Sequence, residues 1–371
     1  MAAHRPVNGF LPREAFGELL ATLRGGGYRC VAPKVRDGAI VYAELQAQDQ
    51  LPTGISTRQA PGRYRVEITD SPRNFAWANG PQALKPLVFK ARETLWRVDR
   101  DTDGRISFTG SSTETGPLAV IGVRSCDLAA LALQDRHFLA NDCVDPHYQA
   151  RRAALFLVAV NCTHPSDTCF CASTGDGPAA RDGFDLLMDE LDDGFVVRAG
   201  SAAGQKILQT LPVRPATGEQ NEAVTQQNRQ ATECQTRQLP SGNLEQVLFE
   251  NLDHPHWQTV AERCLSCGNC TSVCPTCFCY SEQDAGTLDP GHSTHIREWD
   301  SCFTQGHSYI HGLTIRADTR LRYRQWLTHK LGSWHSQYGR SGCVGCGRCI
   351  SWCPVGIDLT EEVTAIVGSK P

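Results

Sequence analysis

Residues 264–280 read CLSCGNCTSVCPTCFCY, six cysteines in seventeen positions. At 343–356 the stretch CVGCGRCISWCPVG repeats the spacing of the first four cysteines. A folded core has no use for so many thiols in one loop. The chain carries eighteen cysteines among 371 residues, eleven of them between 243 and 371. Disulfides on that scale belong to small scaffolds in oxidising compartments. Metal ligation is the better reading.

Cys264, Cys267, Cys270 and Cys274, followed by Pro275, form C-x2-C-x2-C-x3-C-P, and Cys343, Cys346, Cys349 and Cys353 with Pro354 form it again. This is the bacterial ferredoxin run. Three cysteines at x2 intervals wrap around three corners of one [4Fe-4S] cubane. The fourth opens a helix aimed away from it and reaches the neighbouring cubane. Proline after it fixes φ at a first helical position, where no N–H is needed. The expected assignment is therefore crossed: Cys264, Cys267, Cys270 and Cys353 on one cluster, Cys343, Cys346, Cys349 and Cys274 on the other. Gly268, Gly345 and Gly347 suit backbone that must approach a cluster closely. A zinc knuckle needs two C-x2-C pairs per metal and does not require two four-cysteine runs each closed by proline. The 68 residues between Cys274 and Cys343 exceed the link of a minimal ferredoxin, so they must form an excursion whose ends return together.

A third group is expected on different grounds. PLAVIGV (117–123) and ALFLVAV (154–160) read as strands, with the helical LAALALQDRHFLA (128–140) between them. Parallel strands in that order place their C-terminal ends on one sheet edge, where α/β proteins build sites. Cys126 follows the first strand; Cys162, Cys169 and Cys171 follow the second. Four thiols would converge there on a third cluster, with zinc and simple packing as alternatives. Cys277, Cys279 and Cys302 are open between ligand and packing roles. Cys30, Cys143 and Cys234 have no partner spacing and read as small buried hydrophobes or redox-idle thiols.

The remainder sets the frame. RVEI (65–68) reads as a further strand, and PREAFGELLATLRGGG (12–27) as a helix stopped by glycines. The expected architecture is an α/β N-terminal domain over 1–200 and a linker or solvated helix over 201–242. A mainly α-helical, ferredoxin-type two-cluster domain follows over 243–371, with a long insert at 275–342. The basic stretch RADTRLRYRQWLTHKL (316–331) reads as a solvated helix face or a docking surface, and His329 within it as a surface or packing residue. A formal charge of −4 points to neither nucleic acid nor an anionic membrane. No apolar run approaches a membrane span, and MAAHRPVNGFLPREAF lacks a secretory pattern, so a cytoplasmic protein is expected. STGDGP (173–178) is no dinucleotide or phosphate loop. Without a flavin or nicotinamide fingerprint, the chain reads as a relay of single electrons.

GVRSCDLAAL, NCTHPSDTCFCASTGDGP with GFDLLMDEL, CLSCGNCTSVCPTCFCY, REWDSCF, RQWLTHKL and GCVGCGRCISWCPVGIDLTEE together resemble the iron–sulfur beta subunit of cytoplasmic [NiFe] hydrogenases of the sulfhydrogenase type. The related iron–sulfur subunit of anaerobic sulfite reductase shares this plan. The resemblance runs from about residue 25 to 366. It implies a non-catalytic electron-transfer subunit of an oxidoreductase, with several [4Fe-4S] clusters, beside a flavin subunit handling NAD(P)H and a hydrogenase module. The equivalent subunit of a sulfite reductase or another multi-subunit redox enzyme is the alternative. The resemblance also takes in the Cys126 and Cys162–Cys171 stretches. Two departures adjoin that third group: Ser125 stands where the family often has proline, and Ser173–Pro178 replaces a Ser-Met-Gly-Thr-Gly-Pro run.

Overall fold

The computed structural model describes residues 9–82, 84–111, 115–140, 143–286 and 291–368. Residues 1–8, on which part of the leader reading rests, lie outside them. An eight-stranded sheet organises the N-terminal region. In spatial order its strands are Arg214–Pro215, Gly9–Pro12, Gly194–Ala199, Leu186–Glu190, Leu155–Val160, Leu118–Val123, Arg29–Arg36 and Ala39–Glu44. The four from Leu186–Glu190 to Arg29–Arg36 run parallel, and antiparallel strands close both edges. Strands buried on both faces need continuous apolar runs, and LAVIGV and FLVAV supply them. Phe16, Leu19, Leu20 and Leu23 of helix Phe16–Gly25 pack on one face with Phe75, Trp77, Phe156 and Phe195. Leu128, Leu131 and Phe138 of helix Ser125–Leu139 pack on the other with Val120, Leu157 and Tyr148. The expected strand–helix–strand unit is present, with its strands parallel.

The sheet edge is shaped by Gly122. Its φ is +84°, and the register shifts between Ile121 and Val123. A Cβ there would come within 2.8 Å of the Phe75 ring. The chain then turns through Arg124, whose guanidinium donates to the carbonyls of Val160, Asn161, Phe75 and Trp77 at 2.7–3.3 Å. One buried cation thus ties both strand ends to the loop beside them.

The stretch after the sheet contains a largely exposed helix, Gly218–Glu233, opened by a Thr217–Gln220 capping box. Helices Leu244–Glu250, His256–Arg263, Thr319–Thr328 and Leu359–Gly368 then build a helical C-terminal region. Its core holds Trp257, Phe303, Tyr323, Trp326, Leu331, Ile350 and Val363, and Phe170 of the N-terminal region enters it. The basic stretch at 316–331 is neither wholly solvated nor a free surface. Arg322, Tyr323, Trp326 and Leu327 are buried, and Arg322 donates to the carbonyls of Phe303, Arg316 and Ala317. The insert does not stand apart either. Tyr280–Gly286 and His292–Trp299 form one antiparallel sheet with Arg92–Arg100 and Ile106–Gly110. Buried Glu93, paired with Arg151 and Arg297, fixes this seam, and Arg297 also pairs with Asp145. Among the described residues no helix is long and apolar enough to cross a membrane.

Candidate metal centres

The two ferredoxin runs fold alike. Each has a left-handed residue between its first two cysteines, Ser266 at φ +51° and Gly345 at +63°, and a left-handed glycine after the second, Gly268 at +74° and Gly347 at +71°. Each glycine opens one short helical turn, Asn269–Ser272 or Arg348–Ser351. Backbone N–H groups flanking these turns point at sulfur. Ser266 N–H reaches Cys264 Sγ and Gly345 N–H reaches Cys343 Sγ, both at 3.5 Å, and Ile357 N–H reaches Cys353 Sγ at 3.3 Å. Such donors stabilise negative charge on a thiolate.

Cys353 lines one cavity with Cys264, Cys267 and Cys270, walled by Phe303, Tyr323 and Trp326; Cys349, expected in the other set, lines it as well. Burial pushes the Cys270 thiol well above its ordinary pKa, and Cys302, Cys264, Cys353 and Cys267 add to the shift as neighbours. On the other side, burial drives Cys343 up to about 12, with Cys346 and Cys274 among its neighbours. Cys274 is held well below the usual thiol value, first by the Cys277 thiol hydrogen-bonded to it and also by the Lys330 ammonium. Buried thiols that resist ionisation alone ionise when a cation binds, with release of protons.

The third group lies against the second run. Phe170 N–H donates to Gly345 O at 2.8 Å, and Cys169 Sγ lies 3.9 Å from Cys346 O. A Cβ on Gly345 would meet the Phe170 carbonyl at 2.5 Å, and one on Gly347 would meet Thr168 O at 2.5 Å. Burial raises Cys169 to about 12, and Cys162 adds to it. Burial also raises Cys171, with Cys169 and Cys162 beside it, and raises Cys126, which has Cys346 and Cys171 among its neighbours. Asn79 Nδ2 donates to Cys126 Sγ at 3.1 Å, Ser166 Oγ stands 3.3 Å from Cys169 Sγ, and the Gln235 amide stands 3.5 Å from Cys171 Sγ. Ser125, one of the two departures, donates to Pro178 O at 2.9 Å, within the other.

The remaining cysteines of the C-terminal region border the first two groups. Cys277 meets Cys274. Burial raises Cys302 to about 12, with Cys279 next to it. His307, hydrogen-bonded to Cys279 and to Asp300 Oδ2 at 2.6 Å, is raised to about 9. His329 is a packing residue: burial lowers it to about 4, and its Nε2 accepts from Trp334 Nε1 at 3.1 Å. Among the described residues, no three His, Cys, Asp or Glu side chains close on a point as a single ion requires. A cubane is held differently, by thiolates at four separated iron corners. The thiols, inward N–H groups and left-handed turns fit clusters of that kind.

Gln235, Asn79 and Lys330 are not legible as site residues from sequence spacing. Gln235 lies in the polar stretch beyond the sheet, Asn79 in an irregular loop, and Lys330 in a run that reads as solvated.

A family model for a 4Fe-4S dicluster domain matches residues 263–357, which span both runs. The helical region is therefore that of an iron–sulfur protein. Sulfhydrogenase 2 subunit beta of Pyrococcus furiosus is 34% identical over 309 residues, covering 82% of this chain and 89% of that protein. The chain belongs to the sulfhydrogenase beta-subunit family. No solved structure matches it.

Proposed function

We propose that the chain is the electron-transfer subunit of a multi-subunit, cytoplasmic redox enzyme, working between a flavin subunit that handles NAD(P)H and a [NiFe] hydrogenase module. Its relative's name, a sulfhydrogenase subunit, supports the partner enzyme. Cys264, Cys267, Cys270 and Cys353 hold one cluster, and Cys343, Cys346, Cys349 and Cys274 a second. Cys126, Cys162, Cys169 and Cys171, at the carboxyl edge of the N-terminal sheet, hold a third. The observation that carries this reading is the meeting of Cys353 with the 264–270 loop and of Cys274 with the 343–349 loop.

When bound, the clusters supply one-electron chemistry. The side chains make and break no bonds to substrate. The thiolates bind iron, and the N–H groups of Ser266, Gly345 and Ile357 hydrogen-bond to their sulfurs. Phe303, Tyr323 and Trp326 give the first cavity an apolar wall. Packing of Gly345 against Phe170 holds the third group beside the second, which suits electron passage through the chain in series. Co-purification of the protein with its partners tests the enzyme assignment. Nickel in the complex supports it; siroheme with no nickel would replace the hydrogenase by a sulfite reductase.

A further inference from the structure

Lys330 is 5% exposed, inside the helical core. It sits in a π-helical turn, His329–Ser333, that interrupts the run from Thr319 to Tyr338. Such turns free backbone groups from the regular ladder, and here the Lys330 carbonyl accepts from Gly342 N–H at 2.8 Å. The side chain reaches the opposite side of the same centre: its Nζ donates to Thr276 Oγ1 at 2.8 Å. Thr276 Oγ1 lies 2.7 Å from Gly342 O and 3.2 Å from Cys274 Sγ. A hydroxyl has one proton to give, and the carbonyl is its nearer acceptor. One residue thus braces the ends of both segments that supply the second ligand set, beside Cys274 and beside Cys343.

A buried ammonium requires a compensating negative charge. Among the described residues Lys330 makes no ion pair with a carboxylate; its close oxygen partner is neutral. The negative groups it faces are sulfurs: Cys274 first, then Cys277, and Cys343, the first and last of them in the second set. The first set has a different setting, because none of the residues lining its cavity carries a charged side chain.

We propose that the Lys330 ammonium raises the reduction potential of the cluster held by Cys343, Cys346, Cys349 and Cys274 above that of the cluster held by Cys264, Cys267, Cys270 and Cys353. This rests on the cluster assignment proposed above. Reduction adds one electron and no proton, since the ammonium is already protonated. A fixed buried cation stabilises the extra negative charge and costs nothing to reorganise. Electrons entering the pair therefore settle on the second cluster, the one against which the third group is packed.

The test is an EPR-monitored redox titration with dithionite on the full chain purified without oxygen, with iron counted beforehand. Lys330→Gln keeps a donor to Thr276 and removes the charge; Lys330→Met removes both; Lys330→Arg keeps the charge. The Cys267→Ala protein, lacking the first cluster, identifies which signals remain. The expected result is that one midpoint moves to more negative potential in the Gln and Met variants and returns with Arg, and that it belongs to a signal retained in Cys267→Ala. Unmoved midpoints at full iron content would overturn the inference while leaving the clusters in place. So would a shift confined to the signal lost in Cys267→Ala. Absence of iron from the unmodified protein would overturn the cluster assignment itself.

Discussion

Arg348 Nη1 lies 2.7 Å from Asp127 Oδ1, Nη2 lies 3.1 Å from Oδ2, and neither side chain is more than 1% exposed. Arg348 stands between Cys346 and Cys349, and Asp127 follows Cys126. The bidentate pair fastens the second ferredoxin run to the helix that begins at the sheet edge. Arg348 also donates to the carbonyls of Gly80 and Gln82 at 2.9 and 3.2 Å. Its fork geometry uses most of its donors, which lysine could not reproduce.

Breaking this pair from one side leaves a buried charge alone, which costs about 3–5 kcal/mol. Asp127→Asn is expected to lower the anaerobic urea midpoint accordingly and to loosen the third group from the second. Urea unfolding checks this. A midpoint unchanged from the parent protein would show that the pair does not hold the two regions together.

Gly345 and Gly175 both have positive φ, +63° and +75°, but only Gly345 is crowded. Gly345→Ala must displace the Phe170–Cys171 backbone, and is expected to cost at least about 2 kcal/mol through strain and overpacking and to lower iron content. Gly175 has nothing within 4 Å of a built Cβ, so Gly175→Ala costs about 1–2 kcal/mol for its left-handed backbone conformation alone. Equal losses in the two variants would remove the packing argument.

The seam between Arg92–Arg100 and His292–Trp299 is sensitive to acid. Burial would raise the Glu93 carboxyl, but hydrogen bonds and charge from Arg151 and Arg297 outweigh it and hold its pKa below the ordinary value. Asp145 is depressed in the same way by Arg297. A depressed carboxylate contributes stability that is full above its unfolded pKa, about 4, and is lost as pH falls through the folded value. Stability is expected to fall below about pH 4, and Glu93→Gln to be weaker at neutral pH with a flatter acid limb. Urea midpoints between pH 7 and 3 test this; identical acid limbs would contradict it.

On the proposed assignment, Cys267→Ala removes one ligand of the first set. About four irons per chain should be lost, with the remaining signals intact. Unchanged iron and an unchanged electron-transfer rate would count against Cys267 as a ligand.

The two ferredoxin runs were legible because their spacing is local: a few consecutive φ values and one proline define each loop. The parallel strands were legible because both are apolar throughout. Their cysteines could be placed on one edge before any contact was known. What brings Phe170 onto Gly345 was not legible, since the two lie far apart in sequence and a glycine's spacing does not name its neighbour. The sheet joining 92–110 to 280–299 was hidden for a related reason. Its outer strands, Ile106–Gly110 and Tyr280–Gly286, are exposed, with Ile106 and Phe108 open to solvent, so they lack the half-buried alternation that marks a strand. Lys330 was misleading because a lysine in RLRYRQWLTHKL reads as solvated until the π turn and Trp334 enclose it.

Iron and acid-labile sulfide per chain, measured on protein purified without oxygen and paired with EPR after dithionite reduction, test the relay most directly. Three clusters in series predict about twelve irons, about twelve sulfides and three interacting spin systems. About eight irons would contradict this by confining the clusters to the two ferredoxin runs, leaving Cys126, Cys162, Cys169 and Cys171 without one.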